Sequence, residues 1–191
     1  FRKEKFMITT SDFKTGLTIE FNNDVYTIVY FQHVKPGKGA AFVRTKLKSF
    51  KSGNTLEHTF KAGEKLKQAM IEYHEMQYLY STGTEYFFMD NQSFDQVPIP
   101  ANLLGENIDL LKDTMVIRVM YYEGSIIGVE FPNFVELKVV QTEPGFRGDT
   151  ATGASKPATM ETGAVIQVPL FIEIGDTLQI DTRTRSYLKR A

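Results

Sequence analysis

The 191-residue sequence contains no cysteine, no tryptophan and only three histidines. Without cysteine there can be no disulfide, no thiolate nucleophile and no Cys-ligated zinc or iron–sulfur site. His33, His58 and His74 are too far apart in the chain for the short spacings of common metal-binding motifs. We therefore expect no metal, no other cofactor and no disulfide-stapled secreted mini-protein.

Long hydrophobic runs and catalytic motifs are also missing. No stretch approaches the roughly 20 apolar residues that cross a bilayer, so we expect no membrane-spanning segment. The sequence lacks the Gly-x-Ser-x-Gly elbow, the Walker phosphate-binding loop and the Gly-x-Gly-x-x-Gly motif. Acid pairs such as Glu72 with Glu75, or Asp109 with Asp113, lie in an acidic block where carboxylates are usually solvated. We therefore expect no enzyme and no catalytic residue.

Residues 1–6 precede the first methionine, Met7. They include basic residues but no apolar segment of the kind found in secretory signals. We interpret residues 1–6 as a remnant of cloning, leave them out of the fold prediction and expect a cytoplasmic protein.

The formal net charge of −1 conceals a strong asymmetry along the chain. Residues 1–69 hold 13 basic and 6 acidic residues, residues 70–133 hold 2 and 10, and residues 134–191 hold 7 of each sign. Clustered lysine and arginine favour binding to a polyanion such as RNA, whereas an acidic block repels it. The alternative is that both blocks are ordinary solvated surface.

Alternating apolar and polar residues, typical of strands, dominate the N-terminal block. Four short antiparallel strands, typical of a small SH3-like barrel, are predicted at residues 17–21, 25–30, 41–50 and 55–60. Asn22-Asn23-Asp24 predicts a hairpin turn between the first two, and residues 61–68 permit a helix. In the third strand an apolar face alternates with a wholly basic one, formed by Arg44, Lys46 and Lys48.

The charge reversal predicts a domain boundary near residue 69. Strand-like runs follow at residues 76–80, 86–89, 115–122 and 125–131, and a helix is expected at 102–112, which fits an OB-like barrel. Further strand-like runs at residues 135–140, 164–170 and 178–180 predict a third β domain. We therefore predict an all-β chain of three small β-barrel domains, at residues 7–69, 70–133 and 134–191.

The sharpest local motif connects the second and third predicted strands and contains Pro36, Gly37, Lys38 and Gly39. Pro36 and Gly37 suit the central positions of a type II turn, so a plain hairpin tip is one interpretation. The turn does not require Lys38, however. With glycine on both sides, this side chain would project alone from a slim tip that can approach another surface closely.

Two further segments are candidates for RNA contact. Residues 145–157 form a long loop rich in Gly, Thr and Ala, which predicts either a functional loop or a flexible connection. The C-terminal segment places four cations near one aromatic ring, namely Arg183, Arg185, Lys189 and Arg190 near Tyr187. Such a group suits phosphate contacts with stacking, and the alternative is a solvated last strand with a frayed end.

Four segments in this order resemble the bacterial translation elongation factor P family, and the resemblance extends from about Met7 to Ala191. They are residues 35–39 (KPGKG), 132–137 (PNFVEL), 148–150 (GDT) and 186–190 (SYLKR). The resemblance implies a KOW/SH3-like domain followed by two OB folds, in an L shape that mimics tRNA. It also implies binding to the 70S ribosome between the P and E sites, and relief of stalling at consecutive prolines.

The resemblance also implies roles for individual residues. Lys38 would receive a post-translational extension from a lysine-modifying enzyme and reach the acceptor end of the P-site tRNA. Gly148, Asp149 and Thr150 would lie near the E-site mRNA codon. The small-subunit end of the P-site tRNA would be contacted by Arg183, Arg185, Tyr187 and Arg190. The basic face, with Lys35, would lie along RNA phosphates.

Two alternatives share parts of this pattern. An elongation factor P-like paralogue would have the same architecture and a different set of client proteins. A general single-stranded nucleic-acid-binding OB protein would need basic OB barrels, and here the second block is acidic and the third is neutral. We expect the protein to be a monomer. We also expect it to act by positioning the P-site tRNA, because proline restricts the geometry of the reacting groups and small misplacements of those groups lower the rate.

Overall fold

The computed structural model describes residues 6–144 and 154–191, and these form three β-sheets with very little helix. Each sheet curls into a barrel-like unit with its own apolar interior. The prediction of an all-β chain with three small barrels is therefore confirmed.

The N-terminal sheet has the strand order β1-β6-β2-β3-β4-β5. Its strands are β1 Met7–Thr9, β2 Thr18–Phe21, β3 Asp24–Val34, β4 Phe42–Ser49, β5 Thr55–Lys61 and β6 Lys65–Gln68. A 3-10 turn at Thr10–Asp12 follows β1. The predicted hairpin at Asn22 and Asn23 is confirmed, since both have the positive φ that a tight two-residue turn requires. Ile19, Ile28, Val43, Leu47 and Phe60 are fully buried at its centre.

The sheet has two strands that the sequence did not predict, β1 and β6. Residues 61–68 permit a helix, but residues 65–68 form β6, which pairs with both β1 and β2. Leu66 is buried in the core, whereas Lys65 is exposed and Lys67 is half-buried on the side away from that core. This alternation suits a strand. The residues form a strand and not a helix because the backbone groups of β1 and β2 offer hydrogen-bond partners on both sides.

The middle sheet has the order β11-β10-β7-β8-β9. Its strands are β7 Glu72–Ser81, β8 Glu85–Asp90, β9 Gln96–Pro100, β10 Val116–Tyr122 and β11 Ser125–Glu130. The helix expected at 102–112 is shorter, with one α-helical turn, α1, at Ala101–Leu104 and a 3-10 helix at Gly105–Leu110. Gly105 has a positive φ of 64°, which ends the α-helical turn.

The C-terminal sheet has the order β14-β13-β12-β15-β16. Its strands are β12 Phe134–Thr142, β13 Ser155–Met160, β14 Val165–Pro169, β15 Thr177–Asp181 and β16 Ser186–Arg190. The loop predicted at residues 145–157 is wrong at its end, because residues 155–157 form the start of β13, a strand that was not predicted. Pro157, which lacks an N–H donor, lies in this strand between β12 and β14. The core of this sheet includes Leu137, Met160, Val168, Leu178 and Ile180.

The chain divides into two compact units. The first contains residues up to 73 together with 120–128, which form the tip of the β10–β11 hairpin. The second contains residues 74–119 and 129–191. The N-terminal sheet and the hairpin tip are therefore parts of one packed body.

Candidate nucleic-acid interface

A seven-residue loop, residues 35–41, joins the two longest strands of the N-terminal sheet. The last paired residues before it are Val34 and Phe42. Lys38 is exposed at the tip, and Gly37, Gly39 and Ala40 beside it are exposed as well. Within residues 6–144 and 154–191, no hydrogen bond or ion pair involves the Lys38 ammonium group. This cation is therefore available to a partner outside the chain.

The local turn differs from the predicted one. A type II turn would need a positive φ at Gly37, but the positive φ of this loop, +108°, is at Gly39. The type II prediction is therefore wrong. A Cβ atom at Gly39 would lie 3.8 Å from the Pro36 ring, so space is available there. The backbone conformation, rather than crowding, is what favours glycine immediately after Lys38.

The basic face predicted for β4 is present. Arg44, Lys46 and Lys48 are exposed, and the residues between them are buried. Alternate side chains of a strand are about 7 Å apart, so the three cations form a regular row. Lys46 makes an ion pair of 3.2 Å with Glu57 of the adjacent strand, and the Arg44 guanidinium lies over the ring of Phe42. Lys35, at the start of the loop, is exposed as well.

Strand β3 adds two exposed residues that the sequence analysis did not include. Tyr30 pairs with Lys46 and Gln32 pairs with Arg44 in the β3–β4 register. Tyr30 is 47% exposed, because a β-bulge after Ile28 changes which side chains face outward. The signal in the sequence was the continuation of the strand pattern beyond Tyr30. Together the two strands present cations beside an aromatic ring and an amide, a combination that suits RNA.

The C-terminal segment is built differently, because its arginines pair with carboxylates of the chain itself. Arg183 binds Asp181 through two hydrogen bonds of 2.6 and 3.1 Å, and Asp181 is buried. The Arg183 guanidinium holds the pKa of Asp181 well below its ordinary value, at about 2. The Arg183 side chain is still 63% exposed and lies over the ring of Phe134.

Arg185 reaches a distant part of the second unit. Its guanidinium donates two hydrogen bonds to the Asp109 carboxylate, at 2.7 and 2.6 Å, and a third to the carbonyl of Glu106. This bidentate pairing raises the pKa of Arg185. Leu110, next to Asp109, is buried in the core of the C-terminal sheet. Arg185 therefore ties the 3-10 helix to the last hairpin of the chain.

The other two residues predicted in this segment also contact the rest of the C-terminal sheet. Arg190 makes an ion pair of 3.6 Å with Asp176. Tyr187 is half-buried against the core. Ser186–Arg190 is a paired strand, β16, so the frayed-end alternative does not hold for these residues. Their predicted contacts with tRNA stay predictions.

The remaining candidate residues, Gly148, Asp149 and Thr150, lie outside the described residues.

In the described part of the chain, no helix is long and apolar enough to cross a membrane. The same residues contain no group of three His, Asp or Glu side chains that could hold a metal ion. The loop at residues 35–41 and the basic face lie on one sheet of the first unit, and the C-terminal segment lies in the second.

Three family models match consecutive parts of the chain. The elongation factor P KOW-like domain matches residues 9–66, the elongation factor P OB domain matches residues 71–129, and the elongation factor P C-terminal domain matches residues 135–190. The matches thus extend over almost the whole chain, in the order that the resemblance implied.

Close relatives carry the same name. The chain is 60% identical over 184 residues to elongation factor P from Pelotomaculum thermopropionicum, covering 96% of this chain and all of the relative. It is also 60% identical over 185 residues to elongation factor P from Moorella thermoacetica, with 97% of this chain and all of the relative covered.

Among solved structures, the fold is similar to that of a translation initiation factor 5A from Methanococcus jannaschii, with a TM-score of 0.53 at 21% identity. That match covers 65% of this chain and 95% of the other. A related initiation factor 5A family protein from Naegleria fowleri also gives a TM-score of 0.53, at 15% identity, with 66% of this chain and 98% of that one covered. At these identities the likeness concerns the fold.

Proposed function

The chain belongs to the elongation factor P family and is a translation elongation factor, and from that premise we propose that it binds the 70S ribosome between the P and E sites. There it stimulates peptide-bond formation at consecutive prolines by positioning the P-site tRNA through Lys38. Its three domains are residues 7–69, 70–133 and 134–191, and it acts as a cytoplasmic monomer without catalytic chemistry of its own.

One observation carries this proposal: the exposed Lys38 ammonium has no partner among the described residues. An ammonium group that pairs with no carboxylate of its own chain is free to bind a negatively charged ligand. Gly37 and Gly39 leave space around it, so the loop tip can approach an RNA end closely. The acceptor end of the P-site tRNA supplies phosphates that attract this charge.

Positioning is a sufficient mechanism for consecutive prolines. Proline fixes φ near −65°, so a run of prolines restrains the nascent chain and the geometry of the reacting groups. Small misplacements of such groups can cost about 100-fold in rate. By holding the tRNA end, Lys38 restores the reactive orientation, and the ribosome performs the chemistry.

A post-translational extension of Lys38 belongs to the same proposal. The tip presents a single long side chain, and an extension by a modifying enzyme lengthens its reach and adds hydrogen-bond donors. The exposed, unpaired position suits such an enzyme, because it reaches the ammonium group without unfolding the strands on either side.

The other contacts belong to the same proposal and rest on the resemblance to the family. Lys35 and the basic face of β4 run along tRNA phosphates, with Tyr30 and Gln32 beside them. Gly148, Asp149 and Thr150 approach the E-site mRNA codon. For the small-subunit end of the P-site tRNA we propose contacts with four residues of the second unit, Arg183, Arg185, Tyr187 and Arg190. Arg183 is the most exposed of the three arginines in that group.

The test of this function is the synthesis of a Pro-Pro-Pro reporter in a strain that lacks the factor. We expect Lys38→Ala to lower the stimulated rate by about 10- to 100-fold, since orientation of the tRNA end is lost. Lys51→Ala is a matched control, because Lys51 is an exposed lysine of the same sheet on a different turn. If Lys38→Ala rescues the reporter as well as the natural sequence does, the proposed mechanism is wrong.

The modification is tested separately by peptide mass spectrometry of protein purified from its native host. We expect added mass on the peptide that contains Lys38 and none on the peptide that contains Lys51. Finding only unmodified lysine at position 38 would refute the modification while leaving the tRNA contact intact.

A further inference from the structure

Four polar side chains converge within the first compact unit, where the tip of the β10–β11 hairpin meets the N-terminal sheet. Glu20 and Lys67 come from β2 and β6 and are directly opposite each other in the β2–β6 pairing. Tyr122 and Glu123 come from the hairpin tip. We call these four side chains the hairpin anchor.

Short contacts join all four groups of the hairpin anchor. The Lys67 ammonium lies 2.6 Å from a carboxylate oxygen of Glu20 and 2.8 Å from one of Glu123. The Tyr122 hydroxyl donates a hydrogen bond of 2.8 Å to the same oxygen of Glu20. The ammonium also lies 5.4 Å from the centre of the Tyr122 ring, within cation–π range. Each group therefore has at least one charge-assisted partner in the set.

Electrostatics and burial keep these groups in the required forms. Hydrogen bonds to Glu123 and Glu20 raise the pKa of Lys67, so its ammonium stays charged. Burial raises the pKa of Tyr122, so its phenol stays protonated and donates to Glu20. The Lys67 side chain is only 21% exposed, which reduces screening of its ion pairs by solvent. The Lys67–Glu20 pair is thus better shielded from solvent than a fully exposed ion pair, whereas Glu123 is 55% exposed.

The backbone of the hairpin tip is also fixed. Glu123 and Gly124 have φ values of 50° and 81°, as in the tight two-residue turns that match the twist of paired strands. Such a turn has little freedom, so it holds Tyr122 and Glu123 in a defined orientation. Three of the contacts join this tip to the N-terminal sheet, namely Lys67 with Glu123, Tyr122 with Glu20 and Lys67 with the Tyr122 ring, while the Glu20–Lys67 pair lies within the sheet.

The anchored strands connect directly to the loop that carries Lys38. β2 pairs with β3, and β3 pairs with β4 along eight registered residues. Residues 35–41 join β3 to β4. A tilt of the sheet at β2 and β6 is therefore transmitted along hydrogen-bonded strands to Lys38. Because β3 and β4 are long, a small tilt at their base displaces the loop tip by a larger distance.

We propose that Glu20, Lys67, Tyr122 and Glu123 are positioning residues, which make the N-terminal sheet and the hairpin tip one rigid body and thereby fix where Lys38 is presented on the ribosome. This inference rests on the proposed function, because the benefit of a fixed tip is the orientation of the tRNA end. In this proposal the hairpin anchor acts through the loop at residues 35–41 and makes no tRNA contact of its own.

The first test measures rigidity directly. Because the chain has no cysteine, the double substitution Thr55→Cys and Ser125→Cys places spin labels at two exposed positions of the first unit without background. In this background we expect Tyr122→Phe and Lys67→Met to broaden the distance distribution between the labels. Lys112→Met removes a lysine ion pair in the second unit, and Tyr80→Phe removes an exposed phenol, so neither should broaden it.

The second test measures function with the unlabelled proteins. We expect Tyr122→Phe and Lys67→Met to lower the maximal rate of Pro-Pro-Pro synthesis by about 10-fold, since small misplacements are costly. The half-saturating factor concentration should change much less, and the control variants should keep the natural rate. Melting temperatures and the mass of the Lys38 peptide are measured for every variant, so that neither unfolding nor lost modification explains the result.

The outcomes separate this inference from the proposed function. If Lys38→Ala is inactive while both anchor variants keep full maximal rates, the positioning role is wrong and the proposed function stands. An unchanged label distance in both anchor variants would also overturn the inference. If Lys38→Ala is fully active, the proposed function fails, and the role given to the hairpin anchor fails with it.

Discussion

The loop at residues 35–41 and the C-terminal segment at residues 183–190 are both cationic, yet their charges are used differently. Lys38 has no partner among the described residues. By contrast, Arg183, Arg185 and Arg190 each pair with an aspartate of the same chain. A short stretch of sequence shows the cations of both segments equally well and does not show which of them are already neutralised.

Whether a cation is paired within the chain should decide whether its loss affects ligand binding or the stability of the fold. An unpaired exposed cation adds little to folding, so its loss should affect ligands and leave the fold intact. A paired and partly buried cation contributes to the fold, and its removal leaves a carboxylate without its partner. The comparison therefore predicts opposite phenotypes for the two segments.

The largest effect on stability should come from Arg185→Ala. This change removes three hydrogen bonds, two of them to the Asp109 carboxylate. Because hydrogen bonds between charged groups are stronger than neutral ones, we expect a loss of about 2 kcal/mol in the free energy of unfolding, measured by urea denaturation. Lys38→Ala should lose less than about 0.5 kcal/mol, as exposed surface substitutions usually do.

Two further variants make the Arg185 result specific. Asp109→Asn keeps the shape of the partner and removes its charge, so it should lose part of the same stability. Once Asp109→Asn is present, adding Arg185→Ala should cost less than it does alone. Equal stability losses for Lys38→Ala and Arg185→Ala would contradict the comparison between the two segments.

A smaller effect is expected in acid, at the Asp181–Arg183 pair. The pKa of Asp181 is lowered to about 2 in the folded chain, chiefly by its hydrogen bond to Arg183. The ordinary value is about 3.9, so this pair stabilises the fold fully above that pH and progressively less as the pH falls toward 2. The melting temperature should therefore drop over this range more steeply for the natural sequence than for Asp181→Asn.

The acid experiment has a control in the loop. Lys38→Ala leaves Asp181 and its partner unchanged, so its melting temperature should follow that of the natural sequence between pH 5 and pH 2. If Asp181→Asn shows the same pH dependence as the natural sequence, the Asp181–Arg183 pair does not contribute to acid stability.

Much of the fold could be predicted because the strands have strong local signals. β4 alternates buried residues with Arg44, Lys46 and Lys48, and the structure places them as the pattern predicts. β6 and β13 were missed because their strand character depends on neighbours: β6 lies between two edges, and β13 contains Pro157. Gly37 was expected to have the positive φ that Gly39 has, since turn chemistry alone does not fix which glycine adopts it.

The partners of the cations could not be predicted, because they are far away in the sequence. Arg185 and Asp109 are 76 positions apart, and Tyr122 and Glu20 are 102 positions apart. No local pattern marks such pairs, and only the packing of the sheets brings them together. The context of Lys38 is entirely local, so its exposure at the loop tip could be predicted, and its role stays a prediction.

The smallest expected effect concerns Lys46, which lies between the two extremes. It is on the predicted RNA-binding face, yet it pairs with Glu57 across β4 and β5. Both side chains are more than half exposed, so Glu57→Gln should change the free energy of unfolding by less than about 0.5 kcal/mol. The change also frees Lys46 from its ion pair. Each additional lysine contact with a phosphate steepens the slope of log K against log salt concentration by about one.

We therefore expect Glu57→Gln to bind ribosomes carrying P-site tRNA about twofold more tightly at low salt, with the gain disappearing as salt is raised. The measurement is a titration of labelled factor at several potassium concentrations. In the double variant with Lys46→Met the gain should vanish, because the released charge is gone. If the affinity gain persists without Lys46, it comes from removing the negative charge of Glu57 and not from freeing the lysine. In that case, an ion pair within the chain does not distinguish cations that bind RNA from cations that stabilise the fold.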